Sequence, residues 1–179
     1  FQPGTDRVIF ASTHADPDAL KKQKTELDFR ASGKQRRYSW DYDEHFEIYS
    51  ANRDGSDLKN LTNSPGYDAE GSFSPDGKQI VFTSLRAAFP IEKLSPDQRK
   101  RYEQDPSFFG DIYIMNADGS DVRRLTTDLG YVGGRVFSPA GKRQSICVRS
   151  SPRCKWPCSA ASVRKWSARK SGCTCWRTT

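Results

Sequence analysis

The sequence predicts an all-β fold built from short antiparallel strands. Hydrophobic residues make up 35% of the 179 residues and lie in short islands separated by Gly, Pro, Asp, Asn and Ser, which is typical of strands joined by turns. No apolar run approaches the roughly 20 residues that would span a bilayer. One long segment recurs along the chain, so the fold is predicted to be assembled from repeats.

The two copies of the repeat align at one constant offset. Residues 47–78 align without a gap with residues 111–142, and half of the aligned positions are identical. A second alignment matches Arg7–Ser12 (RVIFAS) with Gln79–Ser84 (QIVFTS). We therefore expect the same local structure at both copies.

Each repeat is predicted to contain four strands. In the first copy these are Glu47–Asn52, Leu58–Leu61, Asp68–Ser74 and Gln79–Ser84. Four antiparallel strands correspond to one blade of a β-propeller. The sequence thus predicts about two blades, and we expect Arg7–Ser12 to be the last strand of a preceding blade.

Turn residues separate the predicted strands. Asp54-Gly55 is predicted to be a two-residue hairpin turn with a positive φ at both positions. Pro75-Asp76-Gly77 is predicted to be a tight turn, in which Pro75 fixes φ and Gly77 adopts the left-handed region. In the second copy, the corresponding residues are Asp118, Gly119, Pro139 and Gly141, while Ala140 replaces Asp76.

Two insertions between the strands are predicted to be short surface helices. Asp16 and Pro17 are expected to be the N-cap and first residue of the first helix, with Leu20, Leu27 and Phe29 on its apolar side. Ser95 and Gln98 are expected to form a capping box at the start of the second helix.

The repeat resembles the TolB-like, WD-repeat-like β-propeller family. The resemblance rests on I-Y-x-x-N-x-D-G-S-x-x-x-x-L-T followed by F-S-P-D-G-K-x-I-x-F-x-S, which Asn52–Thr62 and Phe73–Ser84 carry most fully. It implies a periplasmic or secreted protein-interaction scaffold with unknown protein partners. An alternative that it also implies is the gating segment of a prolyl-oligopeptidase-type serine peptidase whose catalytic domain is missing.

The end of the chain differs sharply in composition from the rest. Residues 143–179 contain nine Lys and Arg, all five Cys and no Asp or Glu. The cysteine spacing lacks the paired knuckles of structural zinc sites, and nucleic-acid binding is a further alternative for so basic a segment. We interpret residues 1–142 as a partial propeller and residues 143–179 as an irregular tail, disordered or translated out of frame.

Motifs for catalysis and cofactors are not found in the sequence. There is no G-x-S-x-G, H-E-x-x-H, P-loop or G-x-G-x-x-G motif, so we expect no catalytic, cofactor-binding or metal site. His14 and His45 are interpreted as solvated loop residues. The acidic residues Asp41, Asp43 and Glu44 could bind a cation, although a solvated loop is favoured.

The sequence also gives expectations about a signal peptide, nucleic-acid binding and self-association. The first residues lack a basic region followed by an apolar stretch, so we expect no signal peptide in this chain. We expect no specific nucleic-acid binding. Because two blades leave their terminal faces uncovered, we expect self-association through these exposed faces, which have Phe10, Phe73, Phe82 and Phe137 nearby. Tyr67 and Tyr131 are expected to pack between blades.

Overall fold

A computed structural model describes residues 1–36, 42–127, 133–137, 145–149 and 173–177. Over these residues the chain is mostly antiparallel sheet with two α-helices. The architecture is compatible with a partial propeller of the predicted type. Neither helix in the described part of the chain is long and apolar enough to cross a membrane.

The first sheet has three strands in the order β1-β2-β3. They are β1 (Arg7–Ser12), β2 (Glu47–Asn52) and β3 (Lys59–Asn60). Helix α1 (Ala19–Ala31) lies in the connection between β1 and β2. The strands match the predicted positions closely.

The central sheet has four strands in the order β4-β5-β6-β7. They are β4 (Asp68–Phe73), β5 (Gln79–Ser84), β6 (Asp111–Asn116) and β7 (Arg123–Arg124). The long connection between β5 and β6 contains helix α2 (Pro96–Gln104) and three short 3-10 segments, Arg86–Ala88, Ile91–Lys93 and Pro106–Phe109.

The third sheet has the order β10-β9-β8. Its strands are β8 (Gly133–Phe137), β9 (Ser145–Arg149) and β10 (Cys173–Arg177). Residues 143–179 were expected to form an irregular tail, and this expectation is wrong for the described part of it, because β9 pairs antiparallel with both β8 and β10. The rest of the tail lies outside the described residues, and its out-of-frame origin stays a prediction.

The sheets are out of phase with the sequence repeat. The predicted unit ran from Glu47 to Ser84, but β2 and β3 pair with β1, whereas β4 and β5 pair with β6 and β7. The first strand, β1, is therefore not the last strand of a separate blade. The reason is that β1 pairs with β2 along its whole length, as β5 does with β6, while the connection after β3 leads into the next sheet.

Residues that are equivalent in the two sequence alignments have the same pairing register in β1–β2 and in β5–β6. Arg7 is opposite Asn52 in the first sheet, and their equivalents Gln79 and Asn116 are opposite each other in the central sheet. Backbone bonds beyond the strands repeat as well. Arg53 N donates to Asp6 O at 2.9 Å, as Ala117 N donates to Lys78 O at 2.9 Å. The two sheets are thus copies of one backbone pattern.

Both faces of the central sheet are apolar and covered. One face packs against the first sheet in a cluster of Ile80, Phe82, Tyr113 and Met115 with Ile48 and Leu61. The other face packs against β8 in a cluster of Val81, Ile112 and Ile114 with Phe137. Of the four phenylalanines near the faces that were expected to be uncovered, Phe82 and Phe137 are buried and Phe73 is half-buried, so these three do not form an exposed face within the described residues. Phe10 is 40% exposed.

An aromatic cluster anchors the second insertion. Tyr102 of α2 is buried with Tyr67, Ala69 and Leu85, and half-buried Phe89 and Phe109 pack against them. The predicted capping box of α2 is confirmed, since Ser95 Oγ accepts from Gln98 N and Gln98 Oε1 accepts from Ser95 N. Tyr131 lies outside the described residues.

Helix α1 differs from its prediction in two respects. Its N-cap is Asp18 rather than Asp16, and Pro17 precedes the helix. Leu20 and Leu27 are 80% and 57% exposed, so the predicted apolar side is not buried against the described residues. Asp16 nevertheless makes a bond of the N-cap type, because its carboxylate accepts from Asp18 N at 2.8 Å in the turn before the helix begins.

The hairpin between β2 and β3 has a three-residue loop. Asn52 N donates to Ser56 O and Gly55 N donates to Asn52 O, both at 2.8 Å. Among the loop residues only Gly55 has a positive φ, of 86°. The prediction of a positive φ at Asp54 is therefore wrong. A turn followed by a left-handed glycine is the usual three-residue hairpin, and Asp54 Oδ1 accepts from Ser56 N at 2.9 Å.

The second hairpin is built in the same way but makes an additional contact. Gly119 N donates to Asn116 O at 2.9 Å, and Gly119 has a φ of 90°. A Cβ at Gly119 would lie 2.7 Å from the Leu61 carbonyl oxygen, whereas a Cβ at Gly55 would meet nothing within 4 Å. The central hairpin thus abuts the backbone of the first sheet.

This contact predicts unequal costs for two equivalent substitutions. Gly55→Ala should lower the free energy of unfolding by about 1–2 kcal/mol, the strain of a left-handed alanine. Gly119→Ala should cost a further ~1–3 kcal/mol, because the Leu61 backbone must move. Urea denaturation of the full chain measures both values. Equal costs would contradict the packing of the hairpin against the first sheet.

Candidate functional site

A polar cluster forms where the β1–α1 loop meets the segment before β2. The Lys22 ammonium of α1 lies 2.6 Å from Asp16 Oδ2 and 2.6 Å from Asp43 Oδ2. His45 N donates to Asp43 Oδ1 at 2.9 Å, and His45 Nδ1 lies 3.1 Å from the same oxygen. The side chain of Asp16 is 3% exposed and that of Asp43 is 16% exposed.

The lysine sets the electrostatics of this cluster. Its ammonium group lowers the pKa of Asp16, and the two carboxylates raise the pKa of Lys22. Burial acts to raise the pKa of Asp43, but the bonds from Lys22 and His45 outweigh it and the pKa falls. Both carboxylates are therefore held in their charged form.

A bound metal is not needed to balance this cluster. Ligand atoms of Asp16, Asp43 and His45 lie within 4.8 Å of one another, close enough to share an ion. However, the Lys22 ammonium already contacts both carboxylates and supplies the positive charge. Of the three acidic residues considered as cation ligands, Asp43 belongs to this cluster and Glu44 does not, while Asp41 lies outside the described residues.

A cleft of about 430 Å³ opens beside the cluster. Its polar lining residues include Glu44, His45, Glu47, Tyr49, Asn60 and Asn63. Glu47 Oε1 accepts from Ser64 N at 2.9 Å, and Glu47 Oε2 accepts from the Thr62 hydroxyl. Tyr49 is 4% exposed, and its hydroxyl has no hydrogen-bond partner among the described residues.

His14 covers the ring of Tyr49. The two ring centroids are 4.3 Å apart, and His14 Nδ1 lies 3.0 Å from Ser12 Oγ. Burial raises the pKa of Tyr49, and the nearby charge of Glu47 adds to this effect. The tyrosine therefore stays protonated and can both donate and accept hydrogen bonds.

The central sheet repeats this arrangement with two arginines. Thr126 Oγ1 accepts from Ile112 N and donates to Asp111 Oδ1, both at 2.9 Å, as Thr62 does for Ile48 and Glu47. Here, however, Arg124 Nη2 donates to Asp111 Oδ2, and Arg124 Nε donates to Thr126 O at 2.8 Å.

The second arginine pairs with a buried carboxylate of β4. Arg86 Nη2 donates to Asp68 Oδ2 at 2.7 Å, and Asp68 is fully buried. Burial raises the pKa of Asp68 to about 7, against the opposing effect of the arginine. Arg86 also lies 5.2 Å from the centroid of the Tyr113 ring.

Comparison with known proteins gives partial matches only. A "Protein TolB homolog" from Chlorobium chlorochromatii is 29% identical over 56% of this chain and 28% of its own length. A "Tol-Pal system protein TolB" from Bordetella pertussis is 50% identical over 20% of this chain and 8% of its own length. The repeat is TolB-like. No family model matches the chain.

A solved structure from Agrobacterium tumefaciens, whose description assigns it provisionally to TolB, has 24% sequence identity and a TM-score of 0.42. It covers 63% of this chain, which spans 33% of that structure. The chain thus spans about a third or less of the TolB relatives that it matches.

The predicted turn residues that the structure describes lie in hairpin turns and do not line the cleft. Asp118 Oδ1 accepts from Ser120 N at 2.9 Å, as Asp54 does from Ser56. Gly77 has a φ of 70°, and its N–H donates to Ser74 O at 2.8 Å, while Asp76 Oδ1 accepts from Lys78 N at 3.1 Å. Pro75 lies in the same turn, and Pro139 and Gly141 lie outside the described residues.

The residues that build the cleft could not be predicted as a site from the sequence, because Tyr49, Asn60 and Glu47 are predicted only as strand residues. A signal was present in the alignment of the repeats, because Asn60 stands where the second copy has Arg124. In the second alignment, His14 follows β1 at the position where Arg86 follows β5.

The polar cluster predicts that Lys22 matters more than a neighbouring lysine. Lys22→Met would leave the carboxylate of Asp16 without its cation in a buried position, so the melting temperature should fall by several degrees. Lys24→Met is the matched control, because Lys24 pairs with Asp28 on the exposed side of α1 and should change little. Differential scanning calorimetry compares the two; equal melting temperatures would contradict the role of Lys22.

Proposed function

We propose that this chain is part of a TolB-like β-propeller that acts as a non-enzymatic scaffold for protein contacts. The observation that carries the proposal is the shared pairing register of β1–β2 and β5–β6. It supports the interpretation of the central sheet as one four-stranded blade, with the first and third sheets as parts of neighbouring blades.

The packing of the central sheet supports this interpretation. Each of its faces contacts a different sheet through apolar side chains. Propeller blades stack in this way around an axis, so that every blade buries both faces against its neighbours. The loops at the ends of such blades are free to bind partners, which is how a scaffold without a catalytic centre would work.

The names of the relatives suggest a cellular location and a class of partner. The Bordetella relative is named for the Tol-Pal system, and we infer that this chain serves in the periplasm, or as a secreted protein, with protein partners from the same kind of envelope system. Residues 1–142 would form the interacting propeller part, and residues 143–179, which include β9 and β10, would be a tail translated out of frame.

Binding measurements on the full chain test the scaffold. Biolayer interferometry against purified Tol-Pal system proteins should give saturable binding to at least one of them. Phe82→Asp places a charge in the buried cluster between two sheets and should misfold. This variant is the control for nonspecific binding by misfolded protein. Binding that does not saturate, or that the control retains, would contradict the proposal.

The parent gene offers a second prediction. After codon 142, another reading frame should encode an apolar strand that contains Phe and ends in Ser, as Gln79–Ser84 does, followed by more repeats. A frame that instead encodes G-x-S-x-G, then Asp and His, would favour the peptidase gating segment. Sequencing the gene decides between them, and no repeat in any frame would contradict the out-of-frame tail.

A further inference from the structure

The cleft beside the first sheet has acceptors but no cation of its own. Its lining residues include the carboxylates of Glu44 and Glu47 and, within the described part of the chain, contain no lysine or arginine. Tyr49 also lines the cleft, and its hydroxyl is buried and has no hydrogen-bond partner among the same residues. A buried hydroxyl of this kind costs free energy unless a ligand completes its bonding.

The central sheet contains a filled counterpart of this cleft. Asp111, the equivalent of Glu47, accepts from the threonine hydroxyl as Glu47 does, and it also accepts from the guanidinium of Arg124. Arg124 is the equivalent of Asn60. The shorter Asn60 instead accepts from Thr62 N at 3.1 Å. The place that the guanidinium of Arg124 occupies in the central sheet is therefore part of the cleft in the first sheet.

The second arginine is replaced as well. Arg86 lies over the ring of Tyr113 and donates through Nε to Ser84 Oγ at 2.9 Å. Its equivalent, His14, lies over Tyr49 and bonds to Ser12 Oγ. Both guanidinium groups that serve the central sheet are thus replaced at the same place in the first sheet.

We propose that the cleft binds the guanidinium group of an arginine side chain or of an arginine-like ligand. Glu47 has lone pairs left after its bonds to Thr62 and Ser64, because a carboxylate can accept about four hydrogen bonds. The Tyr49 hydroxyl oxygen accepts a further N–H. A guanidinium carries five donors and no acceptor, so it suits a wall made of acceptors.

Lysine should bind less well. An ammonium group is a compact charge, whereas the planar guanidinium can direct parallel N–H groups at a carboxylate and another acceptor at once. The inference does not depend on the scaffold role, because a small arginine derivative tests it without any protein partner.

The test titrates N-acetyl-L-arginine amide into the full chain, with NMR shifts or calorimetry as the readout. Saturable binding is expected, with at least about tenfold weaker binding of the citrulline derivative, which has the same shape but no charge. Free L-arginine is the second arm. Tighter binding of the free amino acid would indicate a small-molecule ligand, and tighter binding of the blocked form would indicate a peptide segment.

Three variants locate the site. Asn60→Arg restores the arginine of the second repeat and should abolish binding, because its own guanidinium reaches Glu47. Glu47→Gln removes the charge at nearly constant shape and should weaken binding about tenfold or more, and Tyr49→Phe should weaken it less. Lys24→Met, on the exposed side of α1, should bind as the unchanged chain does.

Equal affinity for the arginine and citrulline derivatives would overturn the proposal. Full binding by Glu47→Gln would overturn it too, even if Asn60→Arg fails to fold. Thermal unfolding of each variant checks that lost binding is not lost structure.

Discussion

Side-chain alternation leaves the central sheet without a polar face. Along β5, Ile80 and Phe82 point toward the first sheet, while Val81 points toward β8. Each square ångström of apolar surface left in water costs roughly 25 cal/mol, so this sheet needs a neighbour on both sides. The same pattern in β1 and β2 gives the first sheet a second apolar face, where Phe10 stacks on Tyr49 with ring centroids 6.0 Å apart.

Strand ends are fixed by short polar bonds rather than by the apolar faces. Thr62 and Thr126 each accept from the backbone N–H of the second residue of a neighbouring strand and donate to the carboxylate of its first residue. A one-residue slip would break these bonds and also turn every side chain to the opposite face. Register and burial therefore depend on each other in the β2–β3 and β6–β7 pairs.

The sequence could predict strands because each is specified locally, by alternation and by turn residues such as Gly77. It could not predict the phase of the sheets. The repeat is equally periodic wherever a blade is taken to begin, and only the long-range pairing of β1 with β2 decides it. The cleft was also beyond local reasoning, since Tyr49 and Glu47 meet Asn60 only after the sheet forms.

Differences between the repeats, rather than their shared residues, distinguish the cleft. Glu47 begins β2, and its equivalent Asp111 begins β6. Each of these carboxylates must remain solvated or paired. In the central sheet Arg124 pairs with Asp111, and the insertion with α2 follows the neighbouring strand. In the first sheet the carboxylate of Glu47 lines an open cleft, and no lysine or arginine of the described residues lines that cleft with it. Equivalent backbones thus support a closed ion pair in one copy and an accessible acceptor site in the other.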